Sequence, residues 1–179
     1  DYTTRTGLRT TTLYKRTPVV VAFDKSKDND KDNDNVLSLT IRVLGNGRFQ
    51  LSNFNLNGTS TEQTITAQAE TPVRTPIGTL TLHSTPQTAG FPADQDVQVS
   101  RTPIKMAAKR FRSELSAAEY DKESSLVVLT CNDNSEQRAE DLLNEVFRAY
   151  KNDVVENKNR VAQNTAAFID ERIGIIGAE

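Results

Sequence analysis

The sequence predicts an α+β fold, and three features predict it: alternating apolar and polar runs through residues 1–100, a proline-opened helical pattern after them, and a proline-free stretch with apolar residues at three- and four-residue steps to the end. The expected architecture is a mostly antiparallel sheet carrying one shorter helix, with a long C-terminal helix extending from the body. In this reading residues 1–133 form an α/β base, β-rich over 1–100, with a helix at 102–118 and a strand at 124–131. Residues 134–179 form the long helix, truncated at the end of the chain.

Val19-Val20-Val21-Ala22-Phe23 is wholly apolar, the composition of a buried strand. Val36 to Leu44 is a second strand that runs into Gly45-Asn46-Gly47, and Arg48-Phe49-Gln50-Leu51-Ser52 alternates again. An Asn-Gly pair between two such runs predicts a hairpin, because both residues accept the positive φ of a tight turn. Further strands are expected at 63–69, 78–83 and 97–100, with Pro72, Pro76, Pro86 and Pro92 in the connections.

The first helix opens at Thr102-Pro103, where threonine can cap free N–H groups and proline suits the first helical position. Ile104, Ala107, Ala108, Phe111 and Leu115 fall on one face, which predicts packing against the sheet. Ser124 to Cys131 is almost entirely apolar and reads as a central strand. Asn132-Asp133-Asn134-Ser135-Glu136-Gln137 is a dense helix-start signal, side-chain acceptors preceding acidic and amide groups. The apolar series that follows runs from Ala139 through Leu142, Leu143, Val146, Phe147, Tyr150, Val154 and Val161 to Phe168, Ile169, Ile173 and Ile176. Unbroken, this helix is about 65 Å long at ~1.5 Å per residue. Asn157, Asn159, Gln163 and Asn164 interrupt its stripe, a pattern that calls for partner helices, while Gly174 and Gly177 are alternative stops.

The chain of 179 residues has room for one well-buried domain, and its net charge of −2 gives no global attraction to nucleic acid or acidic surfaces. One cysteine, Cys131, excludes an internal disulfide framework and a multi-cysteine metal site, and its apolar neighbours make it a small core hydrophobe. No run is long and apolar enough to span a bilayer, roughly 20 residues. The chain starts at Asp1 and stops within a helical pattern, so it reads as a piece of a longer protein.

Asp28-Asn29-Asp30-Lys31-Asp32-Asn33-Asp34-Asn35 offers oxygen ligands at alternate positions, as a calcium loop does. Counted from Asp28, however, the sharp-turn glycine is Asn33 and the terminal glutamate is Leu39, so a solvated loop fits better. His83, the one histidine, sits on the face opposite Leu80 and Leu82; with no Gly-x-Ser-x-Gly elbow in the chain, it reads as a surface histidine. Lys105, Lys109, Arg110 and Arg112 form a basic cluster on the first helix, either a solvated face or a patch for anionic lipid headgroups or acidic sugars near a membrane. No aromatic residues are interleaved there to stack bases, which argues against nucleic acid. On the long helix Glu156 and Arg160 are spaced for an ion pair. Arg138, Arg148, Lys151, Lys158, Arg160 and Arg172 are candidate contacts between subunits. With no tryptophan and four tyrosines, the chain supplies few platforms for tight sugar recognition.

The order of elements, with the helix opening Ser-Arg-Thr-Pro, the apolar strand, and then Asn132-Asp133-Asn134-Ser135-Glu136-Gln137-Arg138-Ala139-Glu140-Asp141-Leu142-Leu143-Asn144 through Tyr150, resembles the polysaccharide co-polymerases, or chain-length determinant proteins. That family includes the membrane-bound tyrosine autokinases of capsule and exopolysaccharide export. Asn157-Lys158-Asn159-Arg160 and Phe168-Ile169-Asp170-Glu171-Arg172 continue the likeness, which covers about 97–179 well and the β-rich half in outline, where it looks similar to Bacteroides-type versions. The resemblance implies a periplasmic domain between two transmembrane helices of a bacterial inner-membrane protein, assembled as a homo-oligomeric ring. It implies partnership with a polysaccharide polymerase, the export machinery and the growing chain of capsular polysaccharide, exopolysaccharide or O-antigen, without a cofactor. The transmembrane segments and the proline/glycine-rich segment of the family are missing, and so is a Gly-x-x-x-x-Gly-Lys-Ser/Thr loop. Any kinase domain of the parent therefore lies outside this chain.

The expected function is a non-catalytic scaffold that regulates polysaccharide chain length. A calcium-binding or adhesive β-rich module is the alternative, and a sensor ectodomain for a cytoplasmic kinase overlaps with the first reading. An extracytoplasmic enzyme ranks last, since no convergent nucleophile, base or metal-ligand set stands out.

Overall fold

A computed structural model describes residues 1–24, 34–123 and 125–176. The strands are β1 (Tyr2–Thr6), β2 (Arg9–Thr12), β3 (Val19–Phe23), β4 (Leu37–Gly45), β5 (Arg48–Leu56), β6 (Thr59–Thr61), β7 (Ile65–Gln68), β8 (Val73–Thr75), β9 (Gly78–Ser84) and β10 (Asp96–Arg101). Helix α1 (Ile104–Glu114), β11 (Leu115–Glu119), β12 (Val127–Cys131) and helix α2 (Glu136–Ile176) follow. The fold is α+β, with mostly antiparallel sheets, one short helix and one long C-terminal helix. The chain separates into two compact units, Asp1–Leu115 with Asp133–Ser135, and Ser116–Asn132 with Glu136–Glu179.

The first unit holds a seven-stranded sheet, ordered β2-β1-β10-β4-β5-β6 with β7 also on β5, and a three-stranded sheet, β3-β9-β8. Leu39, Ile41 and Val43 of β4, Phe49, Leu51 and Phe54 of β5 and Val97 and Val99 of β10 share one buried cluster with Val19, Leu80 and Leu82 of the smaller sheet. The two sheets thus meet through the apolar positions of their strands, as period-two side-chain alternation dictates. Tyr2 adds a polar tie between them, its hydroxyl accepting the Val21 N–H at 2.9 Å.

The predicted hairpin is present. Gly45 pairs with Arg48 across a two-residue turn in which Asn46 has φ 51° and Gly47 φ 67°. A Cβ on Gly47 would also come within 3.1 Å of the Gln68 amide, so both conformation and space favour glycine here. β5 runs past the predicted end at Ser52 because of a bulge: Ser38 faces Asn55 while Thr40 faces Ser52, which places one extra residue on β5. Asn53 absorbs it at φ 52°, and Phe54 returns to the core where strict alternation would have put Asn53.

Four expectations need correction. The first helix occupies 104–114, not 102–118, because 115–119 pairs as β11 with β12; tertiary pairing overrides the helix propensity of Ala117 and Ala118. Its N-cap is Pro103, with no side-chain hydrogen bond, so Thr102 does not cap it. Its apolar face does not bury itself on the sheet either: no residue of α1 is buried, and Ile104 is 80% exposed. Last, the strand expected at 124–131 is β12, at 127–131, and it is not central. It belongs to a two-stranded sheet with β11, and Leu126, Val127, Val128 and Leu129 are all exposed.

The start of α2 follows the predicted signal. The Asp133 carboxylate accepts the Ser135 N–H at 2.8 Å, and Glu136 puts negative charge at the positive end of the helix. Its 41 residues correspond to about 60 Å at ~1.5 Å per residue. The helix runs through Gly174; Gly177 lies outside the described residues.

Candidate functional site

Helix α1 sorts its side chains by three- and four-residue steps. Ala107, Phe111 and Glu114 are half-buried on one side. Arg110 is drawn to that side, its guanidinium 3.0 Å from the Asp1 carboxylate, 3.9 Å from Glu114 and 4.6 Å over the Phe111 ring. The other members of the predicted basic cluster, Lys105, Lys109 and Arg112, lie together on the opposite, exposed side. The structure therefore splits the cluster into one structural arginine and three outward cations.

On α2, Arg138, Ala139, Leu142, Leu143 and Val146 are half-buried, and this part of the helix contacts β12. From Val155 to Ile173 every side chain is exposed, including Val161, Phe168, Ile169 and Ile173. Basic residues line the same helix. Arg148 pairs with Glu145 at 2.6 Å, Lys151 lies 5.8 Å over Phe147, and Arg172 lies 5.9 Å over Phe168. Arg160 donates to the Asn157 side chain at 2.8 Å rather than pairing with Glu156, because asparagine one turn back is within easier reach. Lys158 is exposed. The six predicted contact residues are thus spread along the helix; those beyond Val154 stand among uncovered apolar side chains.

His83 lies opposite the buried Leu80 and Leu82, as alternation predicts. Its Nδ1 is 2.6 Å from the Glu70 carboxylate, both side chains being substantially solvated, and no hydroxyl completes a triad with it among the described residues. Glu70 is held by its own N–H to the Leu82 carbonyl, at φ 61°. Sequence reading missed this pair, since nothing in linear spacing connects residue 70 to residue 83.

Also missed was a cleft of about 340 Å³ in the first unit, lined by Phe23, Asp24, Leu37, Leu56, Ile77 and Arg101. Its one arginine stacks over Phe23 at 5.5 Å, which the separation of 78 residues (101 − 23) hides from a linear reading. The calcium-like run of 28–35 lies mostly outside the described residues; Asn35 at its end is bonded to Asn57, which also accepts the Val36 N–H. Among the described residues no cluster of three His, Cys, Asp or Glu side chains could hold a metal ion. Cys131 is half-buried at the end of an exposed strand, a correction to its expected place in a core. No described helix is long and apolar enough to cross a membrane.

No protein-family model matches the chain, and no curated protein matches it.

Proposed function

We propose that this chain is the periplasmic part of an inner-membrane polysaccharide co-polymerase, a non-catalytic scaffold that regulates how long a surface polysaccharide grows. The observation that carries the reading is the apolar strand, Asx turn and long helix from Leu126 to Ile176, with its family-like residue order. The helix leaves Val161, Phe168, Ile169 and Ile173 uncovered, without the tertiary packing from which most helical stability in proteins comes. A homo-oligomer in which neighbouring helices cover these residues accounts for that exposure, with Arg148, Lys151, Lys158, Arg160 and Arg172 at its polar margins. The polymerase, the export machinery and the growing polysaccharide are the partners of this scaffold.

The test is the sugar-chain length distribution on a gel, in cells whose gene for this protein is deleted and then restored. Loss of a modal length on deletion and its return on restoration are expected. An unchanged distribution at unchanged total polysaccharide would overturn the reading.

A further inference from the structure

We infer that α1 is a docking face for an anionic lipid surface. The helix spans 11 residues and buries none of them, so its sequence is not explained by core packing. Its body-facing side is satisfied by Ala107, Phe111 and the Arg110–Asp1 ion pair. The opposite side presents Lys105, Lys109 and Arg112 in a row at four- and three-residue steps. None of the three has an acidic partner among the described residues, although the chain as a whole carries more acids than bases. Unpaired cations gathered on one helix face of a net-acidic protein are complementary to a negative surface.

The neighbouring apolar residues select the kind of surface. Ile104 is 80% exposed and Met106 54% exposed, and they bracket Lys105 in the first turn. Flexible aliphatic side chains beside lysines partition into the headgroup and acyl boundary while the ammonium groups stay at phosphate level. An acidic polysaccharide has no apolar layer to receive them, and the one aromatic of the helix, Phe111, is half-buried under Arg110 and offers no open ring to a sugar. The inference rests on α1 alone; it stands or falls independently of the chain-length proposal.

The experiment is sedimentation of the 179-residue chain with sucrose-loaded vesicles, of phosphatidylcholine alone or with phosphatidylglycerol, at low and high salt. Binding to the phosphatidylglycerol vesicles only, weakened by salt, is expected. Each cation removed should lower the affinity about fivefold, and the variant K105Q/K109Q/R112Q about a hundredfold. I104S/M106S should weaken it with the salt dependence retained. These residues are exposed, so both variants should keep the thermal midpoint of the parent, which separates lost binding from lost folding. Three results would each overturn the inference: no binding to either vesicle, equal binding to both, or anionic binding that K105Q/K109Q/R112Q leaves intact. Binding to dextran sulfate without vesicle binding would assign the face to an acidic polymer instead.

Discussion

Tyr2 joins the two sheets of the first unit through one hydrogen bond and a half-buried ring, and it makes this part of the fold sensitive to alkali. Burial holds its phenol above the ordinary value of 10.0 and outweighs the Val21 N–H, which pulls the other way. In the unfolded chain the phenol loses its proton first, so the native state binds more protons above that pH. Stability from this group is therefore complete below about pH 10 and falls as pH rises through the native value. Tyr2→Phe should cost about 1 kcal/mol at neutral pH, by leaving the Val21 amide without its acceptor, and should flatten the alkaline fall. Urea unfolding of parent and variant at neutral pH and near pH 11 checks both parts; parallel losses of stability would contradict the assignment. At this scale the sequence was legible where chemistry is local. Asn46 and Gly47 announce their turn, and Asp133 announces a helix start. It was not legible where the partner is distant, as with His83 and Glu70 or Arg101 and Phe23, because no spacing rule connects residues that only the tertiary fold brings together.

Elements with a clean apolar run or alternation were recovered nearly at their observed limits, β3 and β4 above all. β5 was cut short because its bulge at Asn53 breaks the period that identifies a strand, and the polar, threonine-rich β1 and β2 carry no apolar signal at all. The larger error concerned β12. Its apolar run has the composition of a central strand, but composition reports what a strand can bury and not whether anything lies against it. Here Val127, Val128 and Leu129 stay exposed, an open apolar edge of the sort that natural proteins cover or guard with charge. The same reasoning divides α2. Its first turns rest on β12, while the stretch from Val155 to Ile173 is exposed among the described residues. Amide hydrogen exchange on the dilute chain should show protection over 136–147 and fast exchange over 155–173. Uniform protection along the helix would mean that its distal half is stable without a partner, and would remove the physical motive for assembly through it.

At the scale of the whole molecule, the class was readable from the sequence because strand patterns dominate up to about residue 100 and helical periodicity dominates after it, and the α+β architecture follows. Function is carried differently. Exposed apolar side chains gather on β12 and the distal part of α2. The scaffold proposed above would act through such surfaces, its output a property of the assembly and not of any one side chain. The most direct test therefore alters the distal helix alone. In cells carrying the gene with Val161, Phe168, Ile169 and Ile173 changed to serine, at protein levels matched to the parent, the modal length of the surface polysaccharide should shift or broaden while total polysaccharide persists. A distribution identical to that of the parent, at matched protein level, would contradict the account of this helix as the element through which the scaffold sets chain length.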